Sequence, residues 1–155
     1  MKQKKLGLLE CLRENSREKL TSISRKTHIP ISTLFDMLKE LQDGIIQRCT
    51  ILLNFEELGY HTRAHVFIKV DSDDKERLQR HLQLHGQVNT LQKTNNGWNF
   101  IVEFICKNIK ELDKIIEKIK VEYRVGDLKI HYLIEDIKKE GFTIQTSNDG
   151  LSASF

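Results

Sequence analysis

No apolar run in these 155 residues reaches the roughly 18 that a bilayer-spanning helix needs, so no membrane span is expected. The N-terminus has basic residues and then leucines, but Glu10 and Arg13 interrupt the apolar stretch and no small-residue cleavage site follows. That pattern fits an amphipathic first helix rather than a secretory signal. Cysteine is scarce: Cys11, Cys49 and Cys106 lie far apart, with no CxxC and an odd count. They read as reduced, mostly buried thiols of a cytoplasmic protein. There is no phosphate loop, no nucleophile elbow and no zinc-protease pattern, so neither an enzyme nor a cofactor is expected. No internal repeat is visible. A net charge of +3 identifies no partner by itself.

What is present is the balance of a globular protein, with 39% hydrophobic and 30% charged residues. The charge is uneven. Residues 1–50 hold ten Lys/Arg against six Asp/Glu, whereas the remainder holds fifteen against sixteen. The basic excess therefore lies in the N-terminal third, which favours a polyanionic partner there. That third has helical spacing. Leu6, Leu9 and Cys11–Leu12 predict one face of a first helix, and Leu20, Ile23 and Ser24 begin a second. Leu34, Leu38 and Leu41 give the buried stripe of a third. Pro30 suits the first turn of that third helix, and Gly44 is placed as its left-handed stop.

After residue 48 the period changes. "CTILLNF" (49–55) reads as a connecting strand, and Gly59 in "NFEELGY" supplies an awkward turn angle. "RAHVFIKV" (63–70) predicts a buried strand, and "DKERLQRHLQLHG" (74–86) a helix. "QVNTLQK" (87–93) and "WNFIVEFIC" (98–106) predict two strands joined through Asn96-Gly97, a strong hairpin signal. "NIKELDKIIEKIKVEY" (108–123) predicts a helix and "LKIHYLIEDI" (128–137) a last strand. The order βαββαβ is that of a ferredoxin-like split sandwich. The fold class expected is α+β: a winged helix-turn-helix, then a ferredoxin-like βαββαβ domain. The boundaries are 1–48 for the first domain, 49–61 for the connecting strand and linker, and 62–142 for the second domain. Residues 143–155 form a polar tail.

The helix-turn-helix can be checked residue by residue. It needs a small residue between helices two and three, a turn residue tolerant of positive φ, and apolar residues that lock the angle. Ser24 and His28 fill the first two places; Ile23, Ile29, Leu34 and Leu38 supply the lock. "NSREKLTSISRKTHIPISTLFDMLKELQDGII", followed by "CTILLNFEELGY" and a βαββαβ segment, resembles the Lrp/AsnC family of prokaryotic transcription regulators. The resemblance runs from about residue 4 to about 140. It departs from the family pattern at His28, where a turn glycine is usual, at Pro30 (usually Ser) and at Met37 (commonly Arg). Thr33 and Leu34 keep the Thr–aliphatic pair.

What the resemblance implies is a DNA-binding domain joined to a RAM-type α/β domain that dimerises and senses a ligand. The partners expected are double-stranded DNA, a second copy in a homodimer or higher even oligomer, and a small-molecule effector. The third helix is a poor source of positive charge, with Lys39 as the one basic residue of 27–46 against three acidic ones. Its neighbours supply that charge: Arg17, Lys19, Arg25 and Lys26 at helix two, and Lys2, Lys4 and Lys5 in an N-terminal arm. Ile31, Ser32, Thr33, Phe35 and Lys39 are the candidate contacts of the recognition helix, with Asp36 beside them. The family's effector hairpin corresponds to Asn96, Gly97, Trp98 and Asn99. Asn99 stands where an aspartate is frequent, and an amide cannot pair ionically with an ammonium group.

His81 and His85 form an i, i+4 pair able to hold a metal, but no third ligand is evident and a solvated face is the expectation. Two alternatives remain open. One is a family member that acts through protein partners without specific DNA reading. The other is an enzyme like the sirohaem decarboxylases, which share the architecture, with His65 or His131 on the tetrapyrrole.

Overall fold

A computed structural model describes residues 2–142; the tail expected over 143–155 lies outside them. The chain divides into two compact units. Among the described residues, one holds 2–52 together with 138–142, and the other is Leu53–Ile137.

The first unit is helical: α1 (Lys2–Glu14), α2 (Leu20–Thr27) and α3 (Ile31–Gln42). Leu8, Leu9, Ile23, Ile29, Leu34, Met37 and Leu41 form its core. The buried stripe of α3 therefore includes Met37, with Leu38 packed at its edge rather than in its centre. This explains why an arginine is missing at position 37: the side chain points inward. The expected N-terminal arm is part of α1, which is anchored by buried Leu8 and Leu9 with Leu6 and Leu12 half-buried beside them. Pro30 is the residue before α3, one place earlier than expected, and its carbonyl accepts from the Leu34 N–H.

Gly44 is not a left-handed stop. The carbonyl of Leu41 accepts from the N–H groups of Gly44, Ile45 and Ile46, at 3.4, 2.9 and 2.7 Å. A tightened last turn closes the helix without a positive φ. The connecting strand expected over 49–55 carries no ladder, and no wing hairpin follows α3 among the described residues. A strand needs a hydrogen-bonding neighbour, and here the single chain supplies none. Cys49 in this segment is exposed, contrary to the expectation of buried thiols; Cys106 is buried and Cys11 half-buried.

The second unit contains β1 (Thr62–Val70), α4 (Ser72–Leu84), β2 (Val88–Lys93), β3 (Phe100–Cys106), α5 (Ile109–Glu122) and β4 (Val125–Tyr132). The sheet order is β2-β3-β1-β4, with every neighbouring pair antiparallel, as the split sandwich requires. Alternate residues of β1, from Thr62 through Ala64, Val66 and Ile68 to Val70, are buried. They pack with Leu78 and Leu82 of α4 and Leu112, Ile116 and Ile119 of α5. The intervening Arg63, His65 and Phe67 are only half-buried, on the sheet's other face. Asn108 caps α5 by accepting from the Glu111 N–H at 3.0 Å. β4 starts three residues before the expected 128 and stops at Tyr132, where its pairing with Ala64 ends the ladder.

Candidate nucleic-acid interface

The turn between α2 and α3 is built as its residues demand. His28 adopts a left-handed conformation, φ 56° and ψ 26°. The Ser24 hydroxyl donates to the Ile29 carbonyl at 2.6 Å, which only a short side chain at that position can reach. Ile23, Ile29 and Leu34 are buried beneath. This fixes α3 with its opposite side bare. Ile31 (48%) and Phe35 (61%) are exposed, as are Ser32, Asp36 and Lys39; Thr33 is half-buried. At about 100° per residue these five positions share an arc of about 140°, opposite Leu34, Met37 and Leu41; Gln42, also exposed, falls in the same arc at the end of the helix, and exposed Glu40 lies just outside it. Ile31 and Phe35 lie along one edge of the arc, Ser32 and Asp36 along the other, and Lys39 between.

The cations of the helical unit are not equivalent. Arg17 lies in the turn before α2 and Lys19 just ahead of its first residue, and Arg25 is in the last turn of α2. All three are exposed and, like Lys39, make no ion pair among the described residues. Lys26 is held by Glu18 at 2.7 Å, the glutamate being mostly buried. That hydrogen bond and the carboxylate's charge raise the Lys26 pKa. Lys5 is paired with Glu40 of α3. Lys5 and Lys26, both expected to meet phosphate, are therefore neutralised within their own unit.

In the second unit the hairpin between β2 and β3 has positive φ at Asn96 (57°) and Gly97 (92°), the pattern that Asn-Gly favours. Trp98 packs edge-on against Phe67, with ring centroids 5.8 Å apart. Asn99 is tied to β1: its N–H donates to the Ile68 carbonyl at 2.9 Å, and its Oδ1 accepts from the Val70 N–H at 2.8 Å. The acceptor half of that amide is thus in use, leaving its NH₂.

Sequence reasoning missed a polar network on the sheet. Glu103, 8% exposed, accepts from Asn89 (2.6 Å), Arg63 (3.0 Å) and Thr90 (3.0 Å). Burial pushes its carboxyl up, but these hydrogen bonds and the Arg63 charge outweigh it and hold the group below its ordinary range. Arg63 also grips both oxygens of Asp136, at 2.8 and 3.2 Å, and stacks over Phe55. The signal was available: Glu103 is the one charge in the apolar strand β3, and Arg63 opens the apolar run of β1. Arg63 borders a cavity of about 270 Å³ that Glu56, His61 and Glu135 also line. With two carboxylates on it, Arg63 offers that cavity no free positive charge.

His81 and His85 are half-buried rather than solvated, their rings 5.5 Å apart, with His81 against Tyr123 and His85 against Phe104. Burial lowers the His85 pKa. No group of three metal-ligating side chains occurs among the described residues. No helix among them is long and apolar enough to cross a membrane.

Comparison with known proteins matches these two units. The fold is shared with E. coli AsnC, at 19% identity and a TM-score of 0.81 over 91% of this chain and 97% of that one. It is shared with B. subtilis LrpC at 18% and 0.80, over 87% and 95%. A transcriptional regulator from Neisseria meningitidis, solved as an L-Met complex, gives 16% and 0.83 over 92% and 94%. The architecture is thus that of the Lrp/AsnC regulators.

Residues 3–44 match the IclR helix-turn-helix domain. An uncharacterised HTH-type transcriptional regulator of Pyrococcus furiosus is 32% identical over 139 residues, 86% of this chain and 92% of the relative. The HTH-type transcriptional regulator FL11 of the same organism is 26% identical over 113 residues, 72% and 75% of the two chains. The chain belongs to this family of HTH-type transcriptional regulators. His65 and His131 are cross-strand partners of β1 and β4, but the relatives are named as regulators and not as enzymes.

Proposed function

We propose that this regulator binds duplex DNA as a homodimer or higher even oligomer in the cytoplasm, with α3 in the major groove. The observation that carries this reading is the bare side of α3, its apolar stripe buried, in a helical unit where Arg17, Lys19 and Arg25 stand exposed in and just before α2. Exposed cations supply salt-dependent phosphate contacts, and side chains on the helix read base edges. One such unit reads few base pairs; two related by a dyad read a two-fold site about one helical turn across.

Two features support pairing with a second copy. Ile51, Leu52 and Leu53 stand exposed in the unpaired segment after α3. Phe67, Trp98 and His131 form an aromatic cluster on the sheet face away from α4 and α5. A small effector at the 96–99 hairpin would meet the free NH₂ of Asn99, which suits a carbonyl or carboxylate oxygen better than an ammonium group.

The test is selection of bound genomic fragments by the full chain over a salt series. A two-fold motif with a steep salt dependence is expected. Arg25→Ala should lower the slope of log K against log salt by about one. Lys26→Ala should change it less, because Glu18 already holds that cation. Uniform weak binding to every fragment would instead favour a subunit that works through protein partners.

A further inference from the structure

We propose that α3 is a pyrimidine reader: it recognises thymine methyl groups and a cytosine amino group in the major groove. This rests on the duplex-DNA reading above and specifies what that surface recognises. The bare arc of α3 is Ile31, Ser32, Phe35, Asp36 and Lys39. Its N-terminal half, residues 31–36, which is the part of a recognition helix that meets base edges, has no arginine or lysine for guanine and no asparagine or glutamine for adenine; Lys39 and the exposed Gln42 lie in the C-terminal half.

What it has instead matches the other half of each base pair. Ile31 and Phe35 are large apolar side chains left 48% and 61% exposed along one edge of the helix. Their complement in the groove is the C5-methyl of thymine, the one apolar group on a major-groove base edge. Asp36, on the far edge, is an exposed carboxylate with no hydrogen-bond or ion partner among the described residues. A carboxylate only accepts. Cytosine N4 is a donor without a neighbouring acceptor on the same base edge, so it is the group that Asp36 fits best.

The acid also explains the charge of the helix. A negative side chain facing phosphate is repelled, so Asp36 is tolerated only where it meets a donor on a base. Arg17, Lys19 and Arg25 lie off α3 and leave the helix itself free for this contact. The ion pairs Lys26–Glu18 and Lys5–Glu40 further reduce sequence-independent attraction, which gives the base contacts a larger share of the discrimination.

The experiment is selection from a randomised duplex pool by the full chain and by Asp36→Asn, followed by affinity measurements on the enriched site with single thymines replaced by deoxyuracil. The wild type should enrich half-sites with a thymine- and cytosine-rich strand. Asp36→Asn should exchange one cytosine for adenine and bind the original site about 5- to 100-fold more weakly. Each contacted thymine, on losing its methyl, should weaken binding about fourfold, and Phe35→Ala or Ile31→Ala should abolish that sensitivity. The deoxyuracil arm leaves the protein unaltered, so a folding defect cannot imitate it. A specific motif indifferent to both Asp36→Asn and deoxyuracil overturns pyrimidine reading and leaves DNA binding standing. Absence of any enriched sequence overturns both.

Discussion

His28 shows how a single residue can hold a domain geometry at a cost. Left-handed backbone is unfavourable for any residue with a Cβ, by about 1–2 kcal/mol. His28→Gly removes that strain but adds freedom to the unfolded chain. The variant is expected to be more stable by about 0.5–1 kcal/mol, seen as a higher urea midpoint at unchanged m-value. Glu103 acts in the opposite sense. Its folded pKa lies below the ordinary 4.5, so it stabilises the fold above that pH. The contribution is lost as pH falls through the folded value. Glu103→Gln does not titrate, so the stability gap between wild type and variant should close as pH drops below 4.5; a gap constant down to pH 2 would disprove the assignment. Neither residue was equally legible in sequence. His28 was, because the turn had to fall between two leucine-spaced helices. The Glu103 partners were not, because Asn89, Thr90 and Arg63 reach it only after strand register is set.

At the level of elements, the helices were readable because their burial is one-sided. Leu34 at 0% exposure is the central point of α3. Leu34→Ala should destabilise the helical unit by about 2–5 kcal/mol, measured by denaturation followed through helical circular dichroism, and should weaken DNA binding with it. The strands of the second unit were readable for a similar reason, since alternation and an Asn-Gly turn specify both spacing and register. Three expectations failed for physical causes that a linear pattern does not carry. Gly44 does not need its special freedom, because three successive N–H groups share the Leu41 carbonyl. β4 ends at Tyr132 although its apolar pattern runs on; one further bond, from the Leu133 N–H to the Arg63 carbonyl at 2.9 Å, is the last that β1 accepts from this segment. Residues 49–55 have strand composition but no neighbour to pair with. The hairpin at 96–99 was legible as a turn; that Asn99 fastens it to β1 was not.

For the whole molecule, the apolar surface left over by the two cores argues for association. Ile51 and Leu53 are two residues apart, so strand pairing with a second copy would put them on one face, and Ile51→Lys/Leu53→Lys should disrupt a pairing that buries them. Sedimentation equilibrium should show an even oligomer for the wild type and a shift to monomer for the variant, with DNA affinity falling in parallel. A monomeric wild type at micromolar concentration would contradict the two-fold reading.

The bare stretch after α3 then has a consequence for gene control. Where single chains predominate, the amount of paired protein grows as the square of its synthesis, so doubling expression raises operator loading about fourfold. Three uncovered aliphatic side chains would thereby give the cell a threshold, making the response depend on gene dosage before any metabolite intervenes.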